Sequence, residues 1–193
     1  MNRARLVCAV TLAVTAGLAG CGSGSGGERA AGTFTSPMYD YTVAYPEGWS
    51  VVPAEHQLEA NEPPLTGGGA TDILGRNADR KVSKMDLPAV VIGAQEVVSG
   101  TTLDKWKTAV VGIVRRQKGC ARPSSSERLL VGGEGAAVLS YPNCPTSSGL
   151  YHLWTVVVHE GRGYQIVWFD HSGQEAEDRP ALDDLLASVS FTS

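Results

Sequence analysis

The predicted fold rests first on residues 151–170, which read YHLWTVVVHEGRGYQIVWFD. Residues 151–159 and 163–170 are rich in β-branched and aromatic side chains, and only Glu160-Gly161-Arg162 separates them. Two such runs joined by a short turn that contains glycine are typical of a β-hairpin. The sequence therefore predicts an antiparallel sheet at the centre of the domain.

Patterns on both sides of this hairpin predict the rest of the fold. Apolar runs around turn residues predict two more hairpins and a central strand, and apolar residues at helical spacing predict two helices. Hairpins with helices set apart from them favour the α+β class, with an antiparallel β-sheet of about six strands flanked by helices. The predicted hairpins cover 41–52 and 129–141, the strand covers 89–94, and the helices cover about 103–118 and 180–189.

The apolar residues of segment 53–87 do not recur at the regular spacing of a helix or a strand. The segment contains Pro63-Pro64, three glycines at 67–69 and mixed charge, with one short element at 71–74 that could be a strand or a turn. Such a segment is typical of a long surface loop. Loops on a rigid scaffold often carry recognition. We therefore expect residues 53–88, with the adjoining sheet edge, either to form a binding surface or to be a solvated insertion without function.

The N-terminal residues predict export and lipid attachment. Arg3 and Arg5 precede an uncharged stretch of about 15 residues. This pattern is typical of a secretory signal, and it is shorter than the ~20 residues that cross a bilayer. The stretch ends in Leu18-Ala19-Gly20-Cys21, which resembles the lipobox of bacterial lipoproteins. The resemblance implies cleavage before Cys21 and acylation of its thiol.

This motif gives the expected organisation of the chain. Residues 1–20 are the signal peptide, 21–33 are the acylated cysteine and a flexible Gly/Ser tether, and 34–193 are one globular domain. The expected location is the extracytoplasmic face of the cell membrane. Lipid at Cys21 would hold the domain beside the bilayer without spanning it.

Two cysteines, Cys120 and Cys144, remain in the exported domain after the signal and Cys21 are set aside. A cysteine pair in an oxidising compartment favours a disulfide. The sequence has no CxxC redox motif, and the further Cys or His residues of a metal site are lacking nearby. We therefore predict a structural bridge between Cys120 and Cys144.

The charge of the chain disfavours nucleic acid as a partner. Without Arg3 and Arg5 the chain has 14 Lys and Arg against 20 Asp and Glu, which gives a net charge of about −6. Binding to nucleic-acid phosphates requires a basic surface. We therefore expect no nucleic-acid partner.

Candidate catalytic side chains lie around the central hairpin. His152 and His159 differ by seven positions, an odd offset that points them to opposite faces of a strand. Asp170-His171-Ser172 has the residue types of a hydrolase triad, but neighbouring positions cannot easily form that relay. Glu160 falls in the predicted turn. With no phosphate loop, His-Glu-x-x-His or nucleophile elbow in the sequence, we expect no catalytic residues, no metal and no cofactor.

The order of these elements resembles the PsbP-like superfamily. The resemblance rests on YTVAYPEGW at 41–49, the helix at 103–116, GEGAAVLS at 133–140, YQIVW at 164–168 and LLASVSF at 185–191. It implies a PsbP-like α/β/α sandwich and a role as a binding or assembly subunit. No functional residue of that superfamily transfers onto these positions.

The sequence as a whole predicts an extracytoplasmic lipoprotein that acts as a non-catalytic binding or assembly module with a protein partner. The missing nucleophile, base and metal motifs favour this module over an enzyme. Two alternatives stay open. One is a cell-envelope hydrolase, with Asp170, His171 and His159 as its first candidates, and the other is a protein that binds a small ligand or lipid.

Overall fold

The structure is a computed structural model, and it describes residues 30–59, 69–80, 85–118, 120, 122–142 and 149–192. Ten strands and two helices lie in these ranges. In chain order they are β1 (Ala30–Thr35), β2 (Tyr41–Pro46), β3 (Ser50–Val52), β4 (Asp72–Gly75), β5 (Ala89–Glu96), α1 (Leu103–Lys118), β6 (Ser125–Val131), β7 (Glu134–Tyr141), β8 (Leu150–His159), β9 (Arg162–His171), α2 (Glu175–Ser188) and β10 (Ser190–Phe191).

A seven-stranded antiparallel sheet forms the centre of the domain, in the order β3-β4-β5-β9-β8-β7-β6. The predicted central hairpin is confirmed as β8 and β9, which pair along their full length from Leu150 opposite His171 to His159 opposite Arg162. Glu160 and Gly161 form the two-residue turn, with φ values of 44° and 78°. Positive φ at both turn positions matches the right-handed twist of the strands. The α+β class and the antiparallel arrangement are therefore as predicted.

A separate three-stranded sheet, in the order β1-β2-β10, corrects two predictions. The predicted hairpin at 41–52 is wrong, because β2 pairs with β1 and β10 whereas β3 pairs with β4 in the large sheet. The turn after β2 thus carries the chain from one sheet to the other. The expected single sheet of about six strands is accordingly replaced by sheets of seven and three strands.

The start of the folded domain also differs from the prediction. The tether was expected to reach residue 33, but β1 begins at Ala30 and pairs with β2, with Ala30 opposite Pro46. The ordered domain therefore begins about four residues earlier than predicted. Backbone pairing with a buried strand orders these residues although their small side chains carry little hydrophobic signal.

Two hydrophobic cores lie on the opposite faces of the large sheet. Trp106, Val110 and Val114 of α1 pack on one face, which we call the α1 face. Leu182, Leu185 and Leu186 of α2 pack on the other, the α2 face, together with Tyr41 and Val43 of the small sheet. The layers are therefore α1, the large sheet, and a third layer formed by α2 and the small sheet.

The segment expected to be a surface loop is largely built into the fold. It contains β4, which lies between β3 and β5, so the short element expected at 71–74 is confirmed as a strand. Ala54, Leu58 and Ala70, outside that strand, are buried as well. The prediction of a solvated loop over all of 53–87 is therefore wrong for these residues, and residues 60–68 and 81–84 lie outside the described part of the chain.

Several predictions about the N-terminus and the cysteines fall on residues that the structure does not describe. The signal peptide, the lipobox, Cys21 and Cys144 all lie outside the described ranges. Cys120 is buried in the core under α1, and the Ser124 N–H donates to the Ser140 carbonyl at 2.9 Å. That bond holds the chain four residues after Cys120 beside the chain four residues before Cys144. The pairing of the two cysteines stays a prediction.

Candidate functional site

Three polar side chains meet where β8 begins, β9 ends and α2 makes its first turn. Tyr151 and Asp170 lie opposite each other in the β8–β9 pair. The Tyr151 hydroxyl donates to Asp178 Oδ2 at 2.8 Å, and the His171 backbone N–H donates to Asp170 Oδ1 at 2.6 Å. We call Tyr151, Asp170 and Asp178 the carboxylate cluster. Tyr151 and Asp170 are buried, and Asp178 is half-buried.

The surroundings of the carboxylate cluster change its acid–base behaviour. Burial, which is the largest cause, and the neighbouring Asp178 carboxylate together raise the pKa of Asp170 to about 6, although the hydrogen bond from the His171 backbone opposes them. Burial, with a second contribution from Asp178, also raises the pKa of Tyr151 well above its ordinary value. The Asp170 carboxyl is therefore largely protonated below about pH 6, where it can donate a hydrogen bond to Asp178.

A cleft of about 310 Å³ opens beside this cluster, between α2 and strands β6 to β8. Its floor is apolar, whereas hydroxyl and carboxylate groups line its rim. The Arg179 guanidinium at the rim pairs with the carboxylates of Glu127 and Asp183. A concave site with an apolar floor and a few oriented polar groups suits a small polar ligand or a side chain of a partner. The lining residues are Ser125, Glu127, Val138, Ser140, Leu153, Glu175, Ala176 and Arg179.

The residues predicted as hydrolase candidates are not brought together. His159 and Asp170 lie at opposite ends of the β8–β9 hairpin, which for ten-residue strands is a separation of roughly 25–30 Å. His159 Nδ1 instead lies 2.9 Å from Glu134 Oε1, and its ring stacks on Phe191 at 4.5 Å. His171 is exposed. A relay that includes both His159 and Asp170 is therefore excluded by distance.

The prediction that His152 and His159 face opposite sides of the sheet is confirmed. His152 is buried on the α1 face, where its ring lies 6.2 Å from that of Phe169. His159 is on the α2 face, against Phe191. Within the described part of the chain, no group of three or more His, Cys, Asp or Glu side chains is arranged to hold a metal ion. The same ranges contain no helix that is both long and apolar enough to cross a membrane.

Sequence reasoning missed Asp178, Arg179 and Glu127. Each is a charged residue in a segment with several other charges, so composition alone gave no reason to single it out. A helical projection that starts at Glu175 places Asp178 on the same side as Leu182 and Leu185, and this is the signal that could have identified it as an inward carboxylate.

Asp170→Asn is expected to stabilise the domain at pH 7.5 by about 1–2 kcal/mol. A carboxyl whose pKa is raised on folding contributes most to the stability of the domain below its unfolded pKa near 4. This contribution is lost as the pH rises toward 6. The full two-unit shift corresponds to about 2.7 kcal/mol, and we reduce it for screening by solvent at the cluster rim. Urea unfolding between pH 4 and 8 measures this effect.

The expected pH profile gives the control. At pH 4 the Asp170→Asn variant and the unsubstituted chain should have the same free energy of unfolding, and they should diverge between pH 4 and 6. Asp184→Asn, at an exposed position on α2, should leave the profile unchanged. Equal curves for Asp170→Asn and the unsubstituted chain at every pH would show that Asp170 titrates normally.

Comparison with known proteins supports the fold. No family model matches the chain, and no curated protein matches it. Among solved structures, PsbP (CyanoP) of the cyanobacterium Synechocystis has a TM-score of 0.56 at 15% identity, and the match covers 90% of this chain and 98% of that chain. A Bacteroides thetaiotaomicron protein has a TM-score of 0.48 at 12% identity, covering 83% of this chain and 48% of that one. A Pseudomonas aeruginosa protein of unknown function has a TM-score of 0.46 at 8% identity, covering 76% and 88%.

The likeness to CyanoP shows that the chain has a PsbP-like α+β fold. At this level of identity it shows the fold alone. Function has to be argued from the site, because one fold hosts many unrelated activities.

Proposed function

We propose that the chain is an extracytoplasmic lipoprotein, held at the cell membrane by lipid on Cys21, and that it acts as a non-catalytic binding or assembly module. The cleft beside the carboxylate cluster carries this proposal. It offers polar groups around an apolar floor, whereas the candidate general base His159 lies at the other end of the sheet from Asp170. This arrangement can hold a ligand or a partner side chain, and the described residues that line the cleft include no histidine to activate a nucleophile.

The fold agrees with a binding role. The rigid seven-stranded sheet and α2 form the walls of the cleft, and sites on regular elements hold their side chains more firmly than sites on loops. Lipid at Cys21, at the end of a signal-like stretch, would hold the domain that carries this cleft at the membrane. A module in that position can bind a component of the envelope while it stays attached to the bilayer.

The test compares four chains in membranes of the native cell: unsubstituted, Cys21→Ala, Ala176→Arg and Ala187→Arg. Ala176 is exposed and lines the cleft, whereas Ala187 is exposed on the same helix outside the cleft. Cys21→Ala should release the protein from the membrane and abolish labelling with a fatty-acid analogue. Arginine at 176 should fill the cleft and reduce chemical crosslinking to a specific partner at least tenfold, and arginine at 187 should leave the crosslink intact.

Each arm has a clear contrary result. Membrane retention and labelling of Cys21→Ala at the unsubstituted level would reject the lipid anchor. Equal crosslinking by the Ala176→Arg and Ala187→Arg chains would reject the cleft as the binding site. Turnover in a hydrolase screen that depends on Asp170 would replace the module with the enzyme alternative.

A further inference from the structure

The two helices of the domain carry opposite charge. Helix α1 contains five basic residues and one acidic residue, a net charge of +4. Helix α2 contains five acidic residues and one basic residue, a net charge of −4. Because α1 and α2 pack on opposite faces of the large sheet, a domain that is acidic overall has one basic side.

The basic side is exposed and lies on the α1 face. Lys105, Arg115 and Arg116 are exposed on α1. Arg128 of β6 adds to them from the edge of the sheet, where it pairs with Asp104 at 2.7 Å and is 66% exposed. Among the described residues, the adjoining segment at 76–87 contributes two Asp and two Arg, so its charges balance. We call Lys105, Arg115, Arg116 and Arg128 the basic face.

We propose that the basic face docks on an anionic lipid surface, so that the membrane-anchored domain lies with α1 toward the headgroups and α2 and its cleft away from them. The part about the anchored domain rests on the proposed lipid anchor. Charge complementarity supports this docking, because each Lys or Arg near an anionic lipid surface strengthens binding by about fivefold. The acidic residues of α2 lie on the far side of the sheet from the headgroups. At physiological salt, charges farther apart than ~8 Å are largely screened from each other, so these residues repel the headgroups only weakly.

A second copy of the chain is the less favoured occupant. Its acidic α2 could contact the basic face of a neighbour, but such a contact joins two different surfaces and generates open filaments unless a rotation closes it. Two of the five acidic residues of α2 are also already engaged, since Asp183 pairs with Arg179 and Asp178 accepts a hydrogen bond from Tyr151.

The tether is long enough for this orientation. The nine residues from Cys21 to Arg29 precede β1, and nine residues span at most about 30 Å. Successive layers lie ~10 Å apart and a helix adds a radius of ~5 Å, so the outer surface of α1 is roughly 25 Å from the layer that contains β1. An anchored domain can therefore turn α1 to the bilayer.

The experiment measures cosedimentation of the chain from residue 21 onward, with Cys21→Ser, with phosphatidylglycerol or phosphatidylcholine vesicles. This chain contains every strand and helix of the structure, and its thermal unfolding is checked first. Two variants are compared with it. One carries Arg115→Glu and Arg116→Glu. The other carries the same changes with Glu177→Lys and Asp184→Lys on α2, which restore the net charge.

The unsubstituted chain should bind phosphatidylglycerol vesicles at 150 mM salt, lose binding at 500 mM salt, and leave phosphatidylcholine vesicles unbound. Both variants should bind at least about 25-fold more weakly, because each lacks two basic residues and each of these contributes about fivefold to binding. No binding by the unsubstituted chain, or equal binding by the charge-restored variant, would overturn the proposal. The chain used here lacks lipid, so failure of this docking is distinguishable from failure of the Cys21 anchor.

Discussion

Asp72→Ala is expected to lower the free energy of unfolding by about 3–5 kcal/mol. Asp72 is fully buried, and its carboxylate accepts two hydrogen bonds, from the Tyr41 hydroxyl at 2.8 Å and from the Ala54 backbone N–H at 2.7 Å. The substitution leaves both donors buried without an acceptor, and each unpaired donor costs about 1–3 kcal/mol. Urea or thermal unfolding measures the loss.

The size of this effect follows from what Asp72 joins. Tyr41 belongs to the small sheet, Ala54 lies just after β3, and Asp72 itself begins β4 of the large sheet. Burial, together with the negative charge of Asp72, raises the pKa of the Tyr41 hydroxyl well above its ordinary value, so the hydroxyl remains a donor throughout the usual pH range. The Asp72 carboxylate therefore links the small sheet to β4 and to the backbone that follows β3.

Three variants separate this role from a general packing defect. Asp72→Asn keeps an oxygen for Ala54, and its amide can donate to Tyr41, so we expect a loss below about 2 kcal/mol. Tyr41→Phe removes one of the two bonds and should fall between the two Asp72 variants. Asp184→Ala, at an exposed position, should change stability by less than about 0.5 kcal/mol. A loss under about 1 kcal/mol for Asp72→Ala would contradict the role assigned to Asp72.

Local signals predicted the elements whose partners are neighbours in sequence. The β8–β9 hairpin needs only two β-rich runs and a turn with glycine, all within residues 150–171. Helix α1 needs only its own apolar spacing and the glycine at 119. The pattern in these segments predicts their structure because the interactions that stabilise them are short-range or repeat along one element.

Signals that depend on distant partners were misread. Pro46-Glu47-Gly48 has the composition of a hairpin turn, but β2 pairs with β10, almost 150 residues later in the chain, and this competes with pairing to β3. The buried role of Asp72, within the short element expected at 71–74, was not evident because its two partners lie 31 and 18 positions earlier. Tertiary contacts of this kind override the local preference of a segment for a strand or a turn. They cannot be predicted from the residues of that segment alone.

The candidate site shows the same limit. In the sequence Asp170 stands beside His171 and Ser172, yet in the structure its side chain interacts with Asp178, eight residues later on α2. The basic residues at the end of α1 lie where a helix dipole favours cations, so their place along the helix is explained locally. Only the layer order of the fold shows that they share a side of the domain with Arg128 and lie opposite the acidic α2.

Gly163→Val is expected to lower the free energy of unfolding by about 3–5 kcal/mol, comparable to truncation of a buried tryptophan. A Cβ at Gly163 would lie 2.5 Å from Cε2 of Trp106 and 2.7 Å from its Cδ2. The indole cannot easily move, because it is buried between α1 and the large sheet. Its Nε1 also donates a hydrogen bond to the Tyr164 carbonyl at 3.0 Å. The larger side chain therefore displaces the ring from the core, and chemical unfolding monitored by tryptophan fluorescence should show both the loss and a more exposed indole.

Gly112→Ala is the control on the other side of this contact, since it adds a methyl group to α1, the helix that carries Trp106, and its effect on stability should have the opposite sign. A Cβ at Gly112 meets only Nη1 of Arg116 at 3.2 Å, at the far end of a flexible side chain. Alanine in a helix interior is more stable than glycine by up to about 1 kcal/mol, so this variant should unfold at a higher denaturant concentration. If Gly163→Val were as stable as the unsubstituted chain, the close packing of Trp106 on β9 would be wrong. Opposite shifts for the two variants would show that α1 is fixed to the sheet by the contact of its tryptophan with a strand that has no side chain at that point.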